Sequence, residues 1–336
     1  MLPFAINLIV FALISIAFSR RLDPCNGGSK LYLVLVSVEL LSFMAISPVI
    51  SDAITYASYA RYQLYGNLEP GWIIVSRALW MLWPNEKTLV LFVGVVTLFS
   101  FSVFFWRYSR NLALSFLIFI CMGFWGMSFF ILRQFVAMSI LLFSYPFLEK
   151  RQFLPFALLV ALAAQFHQSA WIFLFVYLLS YFKRDARYHV ILLGFAAALF
   201  VLGPNIINLL RSIFRNGGIY TITGEVSGIS YLILLTIVLI VSEIFATTLR
   251  ERPYNHMLAF GAVIQILSLR LSVFVRIVYY FSLSLTLIIP NVCAEIEDKR
   301  LRLLAHITVV SLLLAFYFFI SNCHFPEGFV WYLSIG

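Results

Sequence analysis

Three short motifs contain the residues of this chain whose types could do chemistry: Glu69-Pro70-Gly71, Arg133-Gln134 and Phe166-His167-Gln168-Ser169. Arginine presents a permanently charged, planar set of donors that suits phosphate and carboxylate oxygens. Histidine titrates near neutral pH, so it can accept a proton from a reacting hydroxyl. Arg133 and His167 lie inside or at the tip of long apolar stretches, where an ionisable side chain is costly and usually serves a function.

The composition predicts an all-α membrane protein that crosses the bilayer many times. Hydrophobic residues make up 63% of the chain and charged residues 11%, whereas about a quarter of an average soluble domain is charged. So much apolar surface cannot be hidden in a water-soluble core. The run from Leu2 to Phe18 lacks the basic start and the small-residue cleavage site of a signal peptide, so we expect a retained helix. We expect a single integral membrane domain over residues 1–336.

Apolar runs predict about 12 transmembrane helices, each of roughly 17–25 residues. Single runs lie at residues 2–19, 31–50, 88–106, 188–203, 229–249, 256–270, 273–290 and 303–321. Two longer stretches, 111–148 and 152–182, are flanked by basic residues at both ends. We therefore expect each of them to cross twice and to turn on the far side, near Gly126–Phe130 and near Gln165–Ser169.

The basic residues predict the orientation. Cytoplasmic loops carry an excess of Lys and Arg, and most of the 23 basic residues fall on one side if Arg20, Arg21 and Lys30 are cytoplasmic. The opposite, outer side keeps Arg61, Arg77, Lys87, Arg133, Arg211, Arg215, Arg270 and Arg276. Some of these can anchor helix ends among headgroups. Arg133, Arg270 and Arg276, however, lie close to or within predicted helices, which indicates an outward-facing anion site.

Two outer loops are long enough to fold. In the loop 51–86, helical spacing predicts a short amphipathic helix at the membrane interface, with Asp52, Tyr56, Tyr59 and Gln63 on one face and Ala53, Ala57, Ala60 and Leu64 on the other. An apolar segment at residues 73–83 follows, which is too short to span and can be re-entrant. The loop 205–228 carries Arg211 and Arg215, and we predict that it is flexible and acts as a lid or a chain-guiding element.

Two acidic residues, Glu39 and Glu243, lie inside predicted spans. Either could mark an ion pathway. A hydrogen bond between helices is the commoner role, and we predict it for both. The four cysteines, Cys25, Cys121, Cys293 and Cys323, lack the spacing of metal ligands.

The order of the motifs resembles the EpsG/Wzy family of bacterial polysaccharide polymerases. The resemblance covers roughly residues 50–285 and rests on Asp52…Tyr56…Tyr59, Glu69-Pro70-Gly71, Arg133-Gln134, Phe166-His167-Gln168-Ser169 and Arg276…Tyr279-Tyr280. Each motif alone is weak, whereas their order combined with length and hydropathy is fairly specific. Trp72 departs from the pattern, because such proteins often have Tyr or Phe there.

The resemblance implies a glycosyltransferase with a fold similar to the GT-C class, in the bacterial cytoplasmic (inner) membrane, with its active site on the periplasmic, outer face. Such proteins join oligosaccharide repeat units carried on undecaprenyl pyrophosphate. The growing glycan leaves its lipid pyrophosphate and moves to a hydroxyl of the next lipid-linked unit, and no nucleotide is needed. O-antigen and exopolysaccharide polymerases share this chemistry. A copolymerase that regulates chain length is the expected protein partner; a nucleic-acid partner is not expected.

This reaction needs cations for the leaving pyrophosphate and a base for the hydroxyl. We expect Arg133, Arg270 and Arg276 to bind the pyrophosphate, so that permanent charge replaces a divalent metal and no cofactor is required. Arg211 and Arg215 are further candidates from the second loop.

Three residues are alternative candidates for the base. His167 could instead cap its turn, Asp52 could be a helix N-cap, and Glu69 could be structural in the Glu-Pro-Gly turn. Candidates for contacts with sugar or acceptor are Tyr56, Tyr59, Trp72, Gln134 and Tyr280, although interfacial aromatic residues are also common membrane anchors.

Other classes of membrane protein remain as alternatives. A flippase for the same lipid-linked sugar would favour central intramembrane charges and internal repeats, whereas the charges here favour the outer rim. An O-antigen ligase uses the same donor, but such ligases place a catalytic histidine in a much larger outer loop late in the chain. A membrane acyltransferase fits less well, because the early basic-residue-to-histidine motif of that group is missing.

Overall fold

The computed structural model describes residues 2–18, 27–47, 49, 51–213, 228–245, 252–269 and 273–320. All regular structure in these ranges is helical, as the composition predicts. Two of the predicted site residues, Arg215 and Arg270, lie outside the described residues, as do Cys25 and Cys323.

Seventeen α-helices form the described part of the chain. In order they are α1 Leu2–Phe18, α2 Gly27–Ile46, α3 Ser51–Tyr62, α4 Pro70–Leu82, α5 Glu86–Tyr108, α6 Leu112–Cys121, α7 Phe124–Met127, α8 Leu132–Leu142, α9 Tyr145–Glu149, α10 Phe153–Ala164, α11 Leu174–Leu179, α12 Ala186–Ile213, α13 Ile229–Phe245, α14 Pro253–Ser268, α15 Val273–Ser282, α16 Leu285–Glu295 and α17 Lys299–Ala315. A 3₁₀ helix, Gln168–Phe173, precedes α11, and a π-helical turn, Phe316–Ile320, follows α17.

Four helical segments in the described ranges are long and apolar enough to cross a membrane: Gly28–Ile46, Glu86–Tyr108, Phe274–Glu295 and Lys299–Phe318. They match four of the runs read from the sequence. Several shorter apolar helices of 10–17 residues accompany them. The chain is therefore an all-helical membrane protein, whereas the total of about 12 crossings stays a prediction.

The stretch 111–148 is interrupted where the sequence predicts a turn. Asn111 begins α6 by accepting a hydrogen bond from the backbone N–H of Leu114 at 3.1 Å. Gly123 ends that helix with φ of 80°, a left-handed conformation that glycine adopts without a steric penalty. The short helix α7 and a turn then lead to Leu132, the first residue of α8. The predicted turn near Gly126–Phe130 is confirmed.

The stretch 152–182 is also interrupted where the sequence predicts. Helix α10 ends at Ala164, and backbone hydrogen bonds close the turn that follows: Phe166 N–H donates to the Ala163 carbonyl at 2.9 Å, and Ala170 N–H donates to the His167 carbonyl at 2.9 Å. The turn is thus built by the main chain, and the His167 side chain is left for other contacts.

The chain divides into two compact units, and the single membrane domain expected over residues 1–336 stays a prediction. Unit 1 comprises Met1–Pro146, Leu154–Trp171 and Glu297–Gly336, and unit 2 comprises Phe147–Phe153 and Ile172–Ile296. In unit 1, α5 packs against both α2 and α8. Its buried phenylalanines form an aromatic core with α6, in which the Phe101 and Phe119 rings lie 4.6 Å apart.

Helix α14 is the centre of unit 2. Nearly all its side chains are buried, and it packs against α12, α13 and α15. A Cβ at Gly261 would lie 3.0 Å from the Cβ of Phe281, so glycine allows the close approach of α14 and α15. The Phe260 and Phe281 rings meet edge to face at 4.9 Å beside it.

The loop 51–86 holds two helices, α3 and α4, as predicted, but the faces of α3 differ from the prediction. Tyr56 is buried together with Ala53, Ala57 and Ala60 rather than sharing an exposed face. Gln63 has a φ of 55° and lies beyond the end of α3. The prediction failed because Tyr56 lies on the border of the alanine stripe, and a neighbouring arginine and tryptophan cover it.

The segment 205–213, predicted as the start of the second loop, continues α12 to Ile213. Of the two intramembrane acids, Glu39 makes the predicted hydrogen bond between helices, whereas Glu243 pairs with an arginine in the loop before α12. Glu39 of α2 accepts a hydrogen bond from Asn7 of α1, and Glu243 of α13 forms an ion pair with the buried Arg184. The first contact lies within unit 1 and the second within unit 2.

Candidate functional site

Glu69, Arg133 and His167 meet in unit 1, although they are far apart in the sequence. The Arg133 Nη1 atom donates to Glu69 Oε2 in a direct ion pair. The other carboxylate oxygen, Oε1, lies 3.5 Å from His167 Nδ1. The carboxylate side chain is 7% exposed, whereas those of Arg133 and His167 are 21% and 20% exposed. A buried acid therefore links two half-buried groups that a ligand can reach.

The Glu69-Pro70 pair sets the direction of the carboxylate. Proline restricts the residue before it to extended conformations, and Glu69 has φ of −66° and ψ of 141° at the start of α4. Pro70 begins the helix, where its missing N–H costs nothing. The Glu69 side chain makes no capping hydrogen bond to its own helix. It accepts instead from the backbone N–H of Gln168 at 3.1 Å.

Gly71 lets the start of α4 touch the turn that carries His167. Its N–H donates to the Gln165 carbonyl at 2.9 Å, and the Trp72 N–H donates to the same oxygen at 3.3 Å. A Cβ at position 71 would lie 2.8 Å from that oxygen, closer than side chains approach. The two turns thus hold each other at two places: backbone donors of α4 to Gln165, and the Glu69 carboxylate to Gln168.

Arg133 lies in the first turn of α8 and contacts two partners. Its Nε donates to the Tyr56 hydroxyl at 2.8 Å, and its guanidinium carbon lies 5.2 Å from the centre of the Tyr56 ring. Arginine has five N–H donors. Within the part of the chain that the structure describes, Tyr56 and Glu69 engage Nε and Nη1, so Nη2 remains for a ligand.

The environment of Glu69 favours its charged form. Burial alone would raise the pKa, but the nearby His167 ring, the hydrogen bond from the Gln168 N–H and the positive charge of Arg133 outweigh it and lower the pKa to about 2. At neutral pH Glu69 is a carboxylate and a poor proton acceptor. It can hold Arg133 in place, and it can orient the imidazole ring with a proton on Nδ1, which leaves Nε2 to accept a proton.

An aromatic cluster supports Arg133. The Tyr56 and Trp72 rings meet edge to face with their centres 5.2 Å apart, and the centres of the Tyr59 and Tyr56 rings are 6.3 Å apart. The pKa of Tyr56 is raised, first by burial and then by the charge of Asp52, so its hydroxyl stays protonated. Trp72 is fully buried. A sugar could stack on that ring only after the covering side chains move.

Of the other predicted residues, Asp52 and Gln134 belong to unit 1, as the cluster does, and Arg211, Arg276 and Tyr280 belong to unit 2. Arg215 and Arg270 lie outside the described residues. Asp52 is in the first turn of α3, inside the helix rather than at its N-cap, and it acts on the site through its charge near Tyr56. Gln134 is buried with its amide nitrogen 4.0 Å from the Met138 sulfur. In unit 2, Arg276 is exposed on α15 and Tyr280 is fully buried. The roles of these residues stay predictions, as do those of Arg211, Arg215 and Arg270.

Sequence reasoning missed the contribution of Gln165 and the reason for Gly71. Both act through the backbone, which side-chain chemistry does not reveal. The available signal was a glycine directly after a proline at a helix start, which often marks a close backbone approach. Among the described residues, no three His, Cys, Asp or Glu side chains are placed to hold a metal ion.

Comparison with known proteins identifies the family of this sequence. The model of the EpsG family matches residues 30–334, a span that contains all three motifs of the site. No curated protein and no solved structure matched the chain. Because the family model covers nearly the whole sequence, the chain belongs to the EpsG family of polysaccharide polymerases.

Proposed function

We propose that this protein polymerises oligosaccharide repeat units carried on undecaprenyl pyrophosphate, at the outer face of the cytoplasmic membrane. The observation that carries the proposal is the cluster of Glu69, Arg133 and His167. It joins a permanent cation and a group that can accept a proton, which are the two demands of transfer from a pyrophosphate to a hydroxyl.

The proposed step breaks the bond between the anomeric carbon of the growing glycan and the pyrophosphate oxygen. The bonding electrons leave with undecaprenyl pyrophosphate, and a new bond forms to a hydroxyl of the acceptor unit. Arg133 stabilises the charge on the departing oxygen through its remaining donors. Preorganised charge of this kind typically contributes a factor of about 10²–10³ in rate.

The acceptor proton goes to Nε2 of His167. Of the three candidate bases, His167 fits best, because the pKa of Glu69 is lowered to about 2 and the His167 ring lies beside the carboxylate that also holds Arg133. Glu69 then serves as the residue that positions both partners. Its carboxylate stabilises the imidazolium that forms on proton transfer, as a carboxylate does in hydrolase triads.

We further propose that the reaction needs no metal and that a chain-length-regulating copolymerase is the protein partner. Arg276 of unit 2, together with Arg270, is a further proposed contact for pyrophosphate. The flippase and the ligase stay alternatives, and the ligase shares the donor chemistry of the proposed site.

The test is the pattern of surface glycan in a strain that lacks this protein. If it is the polymerase, single repeat units still reach their acceptor and the ladder of longer chains disappears. Complementation with wild-type protein restores the ladder, whereas His167→Gln does not. If no repeat unit reaches the acceptor in the deletion strain, the protein is a ligase or a flippase and the proposed reaction is wrong.

The glutamine variant separates catalysis from folding. The hydrogen bonds of the turn at residues 165–170 come from the backbone, so His167→Gln is expected to reach the membrane at wild-type levels.

A further inference from the structure

An apolar groove lies between α2 and α5 in unit 1, apart from the Glu69 cluster. It has a volume of about 510 Å³. On α2 its lining runs from Lys30 to Leu41, and on α5 it runs from Val95 to Trp106. Eleven residues of rise correspond to about 16 Å, so the groove spans about half the thickness of the hydrocarbon core.

The two helices run antiparallel along this groove, and their contacts set its depth. The Ser37 and Ser102 hydroxyls lie 3.0 Å apart in the middle. At the far end Gly94 approaches Met44 and Leu41, where a Cβ would lie 2.8 Å from the Met44 sulfur. Leu33 and Leu98 are buried at the floor, whereas Val34, Val38 and Phe99 are more than half exposed along the walls. The groove is thus open along its length to a long, flexible apolar chain.

Among the described residues that line the groove, Lys30 is the cationic one, and it lies at one end. The Lys30 Nζ lies 5.8 Å from the centre of the Trp106 ring, and Lys30 is exposed. A lysine beside a tryptophan is typical of the headgroup level of a bilayer. The remaining lining is apolar apart from the two serines. The positive charge of Lys30 and the long apolar shape of the groove fit a ligand with an anionic headgroup and an aliphatic chain.

The groove is separate from the proposed reaction. Its cationic end lies at the start of α2 and the end of α5, whereas α3 and α4, which carry Tyr56 and Glu69, follow the end of α2 and precede α5. The two ends are about 25–30 Å apart along these helices. A donor lipid with its pyrophosphate at Arg133 could not also place that group at Lys30.

We propose that this groove is a binding site for an anionic phospholipid of the cytoplasmic leaflet, with one acyl chain in the groove and its phosphate at Lys30. The charge distribution predicts the Lys30 end to be cytoplasmic. Basic pockets between helices on that side bind anionic headgroups, and each basic residue contributes about 1 kcal/mol, or roughly fivefold in affinity.

The experiment measures retention of phosphatidylglycerol and phosphatidylethanolamine, with identical acyl chains, by the purified full-length protein in native mass spectrometry. Wild-type protein is expected to prefer phosphatidylglycerol about fivefold, and Lys30→Gln is expected to remove that preference. Lys299→Gln is the matched control: Lys299 is an exposed lysine of unit 1, predicted on the same side but outside the groove, and its loss should leave the preference intact.

A second variant tests the groove itself. Val38 is 55% exposed on the groove wall, so Val38→Phe fills the groove without disturbing the floor, and it should lower retention of both lipids. The proposal would be overturned if Lys30→Gln kept the preference for phosphatidylglycerol, or if Lys299→Gln lost that preference to the same extent as Lys30→Gln. It would also be overturned if undecaprenyl phosphate displaced the phospholipid from the wild type but not from Val38→Phe, because the groove would then bind the polyprenyl lipid instead.

Discussion

Arg133 is the residue on which the proposed chemistry depends most. Its guanidinium contacts the Glu69 carboxylate and the Tyr56 hydroxyl at once, and only a planar fork can hold two such partners and still offer donors to a third. A lysine at this position would keep the charge but lose that geometry.

We therefore expect Arg133→Lys to lower polymer formation by about 10²-fold, the typical cost of removing one transition-state donor, at wild-type levels of protein in the membrane. The assay is polymer length and amount in a complemented deletion strain. Arg77→Lys is the control, because Arg77 is an exposed arginine of α4, about two turns after Glu69, and this variant should polymerise normally. A full ladder from Arg133→Lys would rule out the proposed role of the fork.

The lowered pKa of Glu69 predicts that the free energy of unfolding of the protein depends on pH. Its pKa is lowered from 4.5 to about 2, so the folded state holds its proton less tightly than the unfolded state does. The stabilisation is complete above the unfolded pKa of 4.5 and is lost as the pH falls through that value towards 2.

The difference in unfolding free energy between wild type and Glu69→Gln is thus expected to be constant above about pH 5 and to shrink below about pH 4.5. Thermal or denaturant unfolding of the purified protein across this range measures it. Glu297→Gln, at an exposed acid, is the control for the loss of one negative charge. A wild-type-to-variant difference that does not change between pH 6 and pH 2.5 would contradict the ionised pair.

The contact between α4 and the His167 turn shows how elements set the geometry of the site. The backbone of the His167 turn supplies hydrogen-bonding partners to α4: the Gln165 carbonyl accepts from Gly71 and Trp72, and the Gln168 N–H donates to the Glu69 carboxylate. The result is that Glu69 and His167 are positioned by backbone contacts, which are more rigid than contacts between long side chains.

Gly71→Ala tests this contact. The new methyl group would meet the Gln165 carbonyl at 2.8 Å, so α4 must shift and two hydrogen bonds lengthen. Overpacking of this kind costs about 1–3 kcal/mol, and a displacement of about 1 Å can lower activity by about 10²-fold. We expect a large loss of polymer with a modest loss of unfolding free energy.

Gly194→Ala provides the matched control. A Cβ at Gly194 meets nothing within 4 Å, so this change inside α12 should leave activity intact and stability unchanged or slightly raised. If Gly71→Ala polymerises as well as Gly194→Ala does, then the site does not depend on the close approach of the two turns.

At the scale of the whole molecule, the positive-inside distribution predicts which face holds the cluster. Arg77 belongs to the outer set and Arg300 to the cytoplasmic set, and both are exposed. Cys121 and Cys293 are buried free cysteines, so they should not react with a polar reagent, and Cys25 and Cys323 can be replaced by serine.

In that background, Arg77→Cys should react with a membrane-impermeant maleimide in intact cells, and Arg300→Cys should react only after permeabilisation. Gel-shift labelling measures both. The reverse pattern would place the Glu69 cluster on the cytoplasmic face and would exclude an outer-face polymerase.

Composition and periodicity by themselves determined the class of this protein and the positions of its motifs. An apolar chain must satisfy its backbone internally in a bilayer, so helices followed directly, and interruptions such as Gly123 and the turn before Gln168 mark where those helices break. The residue types of Arg133, His167 and Glu69 indicated an anion site and a proton acceptor, because the chemistry of a side chain can be recognised from the sequence alone.

Only the tertiary structure decided the role of each of these residues in the proposed reaction. Glu69, Arg133 and His167 lie on segments separated by dozens of residues, and nothing local in the sequence specifies that one carboxylate contacts the other two. The partners that packing supplies lower the pKa of the Glu69 carboxyl group, so Glu69 is no longer a good candidate for the base. The burial of Tyr56 and Trp72 was likewise decided by what covers them, which helical periodicity cannot specify.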